Sequence, residues 1–381
     1  METSVHHRKR GTARLLRLTV GLTVALVLTG CAESDNSGDG ATTQVTATSN
    51  TSAEDTASTA STASIGANPE VIAGLFDDGA LTTAATVVDC TLANGSETAC
   101  YQLQVQSLPA TLDTDGPYCP ATAADQGGIW VWDGAEPGLY ALDAGFWALV
   151  EAQGFEFLDA DGNISVTDPG GGGGGGGVTT ANSCLEATAD GSFHLEVLLP
   201  VQPETLDTPS NIGTVSQVGL ALDGATIFGD APSVADRGGL PALDACGGHI
   251  DPSGYYHWHF GAESIQVNLD DAGAQVVCAI AQDTEALIGF ASDGYPIYGP
   301  EEGGAVPADL DACSGHIGDT EHFGEVYHYH LTFDSPNLPP CLMGATAVNT
   351  LFSPDNPDAS LPGGGGPGSG GPPAGGRPPG G

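Results

Sequence analysis

Residues 219–229 read GLALDGATIFG, and residues 289–299 read GFASDGYPIYG. The same order continues downstream, where LDACGGHI at 243–250 is answered by LDACSGHI at 310–317, and YHWHF at 256–260 by YHYHL at 327–331. Asp293 lies 70 residues after Asp223, His316 lies 67 after His249, and His328 lies 71 after His257. Offsets that drift by a few residues while the order is kept are what duplication with loop insertions leaves behind. Each copy carries an apolar strand, an Asp-Gly turn, an Ile-aromatic-Gly strand end, a Leu-Asp-Ala-Cys segment, a Gly-His-Ile and a His-x-His strand. Two copies are too few for a solenoid, so they are expected to pack as a pseudo-symmetric pair in one domain. Asp223 and Asp293 read as turn residues feeding a buried strand.

The rest of the chain points the same way. With 40% hydrophobic residues it can bury a core, while 57 Gly and 26 Pro favour turns over long helices. The expected fold is mainly β, a sandwich or barrel-like packing of the duplicated domain over 178–354. A smaller β-rich N-terminal part over 68–169 should hold one short helix. That helix is read from Asp143 as cap, Phe146, Leu149 and Val150 as its apolar face, and Gly154 as its stop. Asp159 to Asn163 lacks the spacing and terminal Glu of an EF-hand loop and reads as a turn. The glycines at 170–177 read as a loop or hinge between the two parts.

The charge is lopsided, with 48 Asp and Glu against 7 Lys and Arg. Arg8, Lys9, Arg10, Arg14 and Arg17 stand together near the start, so the remainder is almost purely acidic. Nucleic acid is excluded as a partner, because binding it rests on cations meeting phosphates. The basic start, the apolar run from Leu18 to Leu28 and the Leu28-Thr29-Gly30-Cys31 sequence read as a signal peptide over 1–30 ending in a lipobox. Cys31 is then lipidated, and the protein is extracytoplasmic, held to the bacterial cell membrane by a lipid anchor alone. Residues 31–67 read as a disordered tether and 355–381 as a disordered Gly/Pro tail.

Eight cysteines remain beyond Cys31, an even number that in an exported chain reads as disulfides. Cys90 and Cys100 flank an Asn94-Gly95 hairpin signal that would set them nearly opposite each other. Three cysteines precede the glycine run and five follow it, so complete pairing needs a bridge across it, with Cys119–Cys184 favoured. Symmetry of the copies then suggests Cys246–Cys278 and Cys313–Cys341, each enclosing one His-x-His strand.

Alternate side chains of a strand share a face, so His257 and His259 project together, as do His328 and His330. Two such imidazoles can converge on one metal, and His249 and His316 are natural third ligands. The expected metal set is therefore His249, His257, His259, His316, His328 and His330, as one shared site or two, with copper or zinc as candidate ions. Asp244 and Asp311, in matching positions, could serve as ligands or as acceptors that fix a histidine tautomer. His194 and His322 fall outside the repeat and receive no role. A polar core in which the histidines only donate and accept hydrogen bonds is the structural alternative.

These segments resemble the YHYH-domain family, bacterial exported proteins named for the tetrapeptide that stands here as Tyr327-His328-Tyr329-His330. The run from Asp293 to Pro300 and both Asp-Ala-Cys-x-Gly-His segments also match, and the resemblance covers about residues 180–345. Trp258 departs from the pattern, standing where the second copy has Tyr329. The resemblance implies a domain and an exported setting and assigns no activity. The sequence has no Gly-x-Ser-x-Gly, no His-Glu-x-x-His and no phosphate loop. Besides a metal-binding lipoprotein, two functions stay open: a metal-dependent hydrolase or oxidoreductase with an open His-rich site, and a non-catalytic cell-surface interaction protein with structural histidines.

Overall fold

A computed structural model describes residues 68–109, 116, 118–170, 180–212, 216–229 and 234–353. The expected signal segment, Cys31, the tether, the glycines after Gly170 and the Gly/Pro tail lie outside the described residues.

The repeated segments form one eight-stranded sheet. In chain order its strands are β1 (Gln217–Ala221), β2 (Thr226–Phe228), β3 (Gly248–Ile250), β4 (Tyr256–Trp258), β5 (Leu287–Ala291), β6 (Pro296–Tyr298), β7 (Gly315–Thr320) and β8 (Gly324–His330). Across the sheet they run β3-β4-β2-β1-β5-β6-β8-β7, an order in which the second copy mirrors the first. β1 and β5 meet antiparallel at the centre, with Leu220 opposite Phe290, Gly219 opposite Ala291 and Ala221 opposite Gly289. Leu220 and Phe290 are equivalent positions, so a pseudo-twofold axis passes between them, as in a self-complementary dimer interface. Close approach at this axis demands glycine. A Cβ on Gly219 or Gly289 would stand 2.2 Å from the carbonyl oxygen of Phe290 or Leu220.

Each copy also has a bulge at the same place, where pairing slips between Ile227 and Phe228 and between Leu287 and Gly289. The extra residue, Val218 or Ile288, is thereby turned to the opposite face from Leu220 or Phe290, and both faces of the sheet are fed with apolar side chains. A four-stranded sheet made of Thr86–Thr91, Glu97–Gln106, His194–Pro200 and Leu351–Phe352 covers one face. Leu103, Val105, Val197 and Leu199 pack there against Leu220, Phe228 and Phe290. The other face packs Val218, Ile227, Trp258, Ile288 and Tyr329 against Leu338 and Leu342. The fold is mainly β and layered, and among the described residues no sheet closes into a barrel.

The hairpin before the glycines and the strand after them share the four-stranded sheet, since Glu97–Gln106 pairs with His194–Pro200. The helix expected from Asp143 spans Ala144–Ala152, with the Asp143 carboxylate accepting from the N–H groups of Gly145 and Phe146 and with Phe146, Trp147 and Val150 buried. A second short helix, Pro69–Ala73, is capped by Asn68. Five residues are too few to show a helical period in the sequence. Asp159 makes the expected turn, its carboxylate accepting from Asp161 and Asn163.

All four disulfides suggested by the cysteine pattern are present: Cys90–Cys100, Cys119–Cys184, Cys246–Cys278 and Cys313–Cys341. The last two close loops of 32 and 28 residues around the His-x-His strands. Loops of that length give each bridge roughly 3–4 kcal/mol by restricting the unfolded chain. Four disulfides fit an extracytoplasmic setting. Among the described residues no helix is long and apolar enough to cross a membrane.

Two candidate metal centres

Local structure places the histidines before any ion is considered. β3 and β4 pair antiparallel with His249 directly opposite His257, and β7 and β8 pair with His316 directly opposite His328. The alternation of the strand then brings His259 and His330 to the same face as His257 and His328. Each copy thus assembles its own trio, and the six histidines divide between two places instead of meeting on the axis.

In the first trio the Nε2 atoms of His249 and His257 are 3.1 Å apart, those of His257 and His259 3.0 Å, and those of His259 and His249 3.3 Å. In the second, His316 Nε2 is 3.1 Å from His328 Nε2 and 3.3 Å from His330 Nε2. Nitrogens about 2.0–2.1 Å from one ion stand about 2.9 Å apart at right angles and about 3.3–3.4 Å apart at the tetrahedral angle. All three distances in the first trio and the two from His316 in the second fall within that window.

The ring protons sharpen this fit in the second trio. The Nδ1 atoms of His328 and His330 contact the carbonyl oxygens of Val326 at 3.1 Å and Gly299 at 2.7 Å, and that of His316 meets the Asp309 carboxylate at 3.0 Å. Oxygens of these kinds only accept, so all three Nδ1 atoms carry a proton, and the neutral rings of His328 and His330 turn their Nε2 lone pairs toward His316 Nε2. His328 and His330 so arranged have no hydrogen bond to give each other, and an electrophile between them and His316 would take up both lone pairs. Glu302 Oε2 adds a fourth donor 3.4 Å from His316 Nε2.

In the first trio the pattern differs at one ring. His259 Nδ1 donates to the Gly229 carbonyl at 2.5 Å and His249 bonds the Ala242 carbonyl. His257 Nδ1 has no partner, so His257 can keep its proton on Nε2 and give one hydrogen bond within the trio. Burial lowers His249 and His257 well below the ordinary imidazole range and brings His259 to about 4. Burial likewise brings His328 to about 4 and lowers His330. These rings are neutral, and therefore competent as ligands, at neutral pH.

Asp244 and Asp311 do not touch the histidines, contrary to the expectation that they ligate or orient them. Asp244 Oδ1 accepts from the N–H groups of Cys246 and Gly248, and Oδ2 accepts the Tyr256 hydroxyl at 2.7 Å. Asp311 repeats this with Cys313, Gly315 and the Tyr327 hydroxyl at 2.9 Å. Their acceptor capacity is spent on the turn that sets the Gly-His-Ile strand beside its partner. Glycine is needed there too, because a Cβ on Gly248 or Gly315 would lie 2.0 or 2.2 Å from that tyrosine hydroxyl.

Asp223 and Asp293 are turn residues with a further duty. Asp223 Oδ2 accepts Trp258 Nε1–H at 3.1 Å, and Asp293 Oδ2 accepts the Tyr329 hydroxyl at 2.6 Å. Burial pushes both carboxyl groups up to about 6. The middle residue of each His-x-His is therefore tied by its polar tip to the Asp-Gly turn, which explains how Trp can stand where the other copy has Tyr.

The residues around the trios that the sequence did not reveal are Glu302 and Asp309. Asp309 had a readable signal, since it is an acid standing where the other copy has Ala242. Glu302 had none, because the loop after each Ile-aromatic-Gly does not align between copies. His194 and His322 belong to neither trio. The first trio forms part of the wall of a cavity of about 520 Å³.

No curated protein and no solved structure matches the chain. The family model described as YHYH protein matches residues 196–303, which takes in the first trio and stops before the second. The match spans the first copy of the repeat and the opening of the second, and the chain carries a YHYH domain.

Proposed function

We propose that this protein is an extracytoplasmic lipoprotein whose duplicated YHYH domain binds a transition metal ion, copper or zinc, at each of two three-histidine sites. The observation that carries the reading is the second trio, where every Nδ1 has its acceptor and His316 Nε2 stands 3.1 and 3.3 Å from the Nε2 atoms of His328 and His330. An imidazole set of this kind suits zinc or copper. Asp309 behind His316 supports it further, because a carboxylate on the far nitrogen of a ligating histidine raises its basicity. The anchor rests on Leu28-Thr29-Gly30-Cys31, which would connect the protein to the membrane by lipid alone.

A metal-dependent enzyme is the second reading, favoured by the cavity beside the first trio. Three protein nitrogens leave an ion with an open position for water or a substrate donor. Elemental analysis of the full chain purified from its export compartment tests the main reading. Two equivalents of one transition metal per chain are expected, and a chain that holds none and takes none up on titration would make the trios structural.

A further inference from the structure

The cavity beside the first trio carries an unexpected charge. Its volume of about 520 Å³ and walls that include Leu185, Pro241, Ile250 and Pro252 are those of a small-molecule site. Arg237 lines the same cavity. It is the sole Lys or Arg among the described residues of a chain with formal net charge −41. Arg237 is exposed, and among the described residues no carboxylate forms an ion pair with it. Asp251 shares the wall, but its Oδ1 is engaged by the Ser253 N–H at 2.7 Å.

We propose that this cavity binds a small organic acid, its carboxylate meeting Arg237 while a second oxygen or nitrogen donor reaches the ion held by His249, His257 and His259. The inference rests on the metal-binding reading of the first trio. A guanidinium presents a planar fork of donors that matches a carboxylate. The first trio brings no negative charge of its own, whereas the second has Glu302 and Asp309 against His316 and would repel an anion.

The test loads the full chain with cobalt(II), counts cobalt per chain, and then titrates malonate while following the visible absorption of the ion. Malonamide, of similar size and uncharged, is the control. The expected result is a saturable change with malonate and none with malonamide, retained in a His328→Ala/His330→Ala chain that keeps only the first trio. Arg237→Gln should weaken malonate about tenfold or more with cobalt content unchanged. Cobalt bound at the first trio with no response to malonate, or equal malonate affinity in Arg237→Gln, overturns the proposal. Absence of cobalt from the first trio removes the metal-binding reading and this inference with it, and the cobalt count shows that before malonate is added.

Discussion

The two copies keep the same three histidines and differ in what meets the first histidine of each trio and in what lies on its open side. The first trio is buried throughout, with His249, His257 and His259 at 8%, 3% and 3% exposure, faces carbonyl oxygens and borders a cavity. The second stands against the half-exposed Glu302 and the exposed Asp309, and its His316 is only partly buried. What the fold itself requires is repeated: the Asp–Tyr clamp on the turn, the tie from the Asp-Gly turn to the middle of His-x-His, and the enclosing disulfide. Apart from the matching Gly229 and Gly299 carbonyls, what touches the far nitrogens or the open side of each trio diverges, since no strand pairing depends on it. One scaffold thus offers a carboxylate-capped set beside a neutral set with room for a ligand.

The largest expected effect separates the two sites outright. Replacing His257 and His259 by Ala, or His328 and His330 by Ala, should each lower the metal content from two equivalents to one, with the disulfides and far-ultraviolet circular dichroism unchanged. Loss of both equivalents from either pair would mean that the sites are not independent. The second site should hold its ion more tightly, because ligation leaves the His257 Nδ1–H buried without a partner in the first.

Acid should act on the fold next. In the unfolded chain the imidazoles take up protons near pH 6.5, whereas His259 and His328 in the folded protein resist until about 4, and His249 and His257 are held well below the ordinary range. The stability contributed by these neutral rings is therefore present above about pH 6.5 and is lost as the pH falls toward 4. For a ring shifted this far the loss amounts to roughly 3 kcal/mol at full titration. Urea unfolding of the metal-free chain at pH 7, 5.5 and 4.5 should show a steep fall over that interval. A flat profile would mean that the rings are hydrated.

The carboxylates of the second site come next in size. Asp309→Asn and Glu302→Gln should each weaken metal binding there by about tenfold or more, while leaving the first site unaltered. Competition with a chromophoric chelator in the His257→Ala/His259→Ala chain isolates the effect. An equal loss at both sites would point to a change in the fold instead of the local charge.

How much of this was legible follows from what repetition exposes. The duplication and the two disulfides around the His-x-His strands follow from motifs written twice, Cys90–Cys100 from a hairpin signal and Cys119–Cys184 from cysteine parity, while one shared histidine site or two stayed open. The period-2 strand places His257 with His259 and His328 with His330 without reference to the rest of the chain. Partners set by tertiary approach were hidden: the carbonyls of Gly229, Gly299 and Ala242, the carboxylate of Glu302, and Arg237 at the cavity. Asp244 and Asp311 were misread for a related reason. Proximity in sequence to a histidine suggested contact with it, while the local turn and Tyr256 or Tyr327 had already claimed their oxygens.

The smallest effect concerns the one position where the tetrapeptide itself differs. Trp258 and Tyr329 both reach a buried aspartate, through Nε1–H to Asp223 and through the hydroxyl to Asp293. Trp258→Phe removes the donor, leaves Asp223 with one partner fewer in a buried site, and should cost about 1–3 kcal/mol. Trp258→Tyr restores a donor in the geometry the second copy already uses, and loses mainly packing volume. It should therefore be the milder change, at about 1 kcal/mol. Thermal unfolding of the two variants beside Tyr329→Phe measures the tie in both copies at once. If Trp258→Tyr proves as damaging as Trp258→Phe, the hydrogen bond to Asp223 contributes little, and the first copy holds its His-x-His strand by the fit of the indole alone.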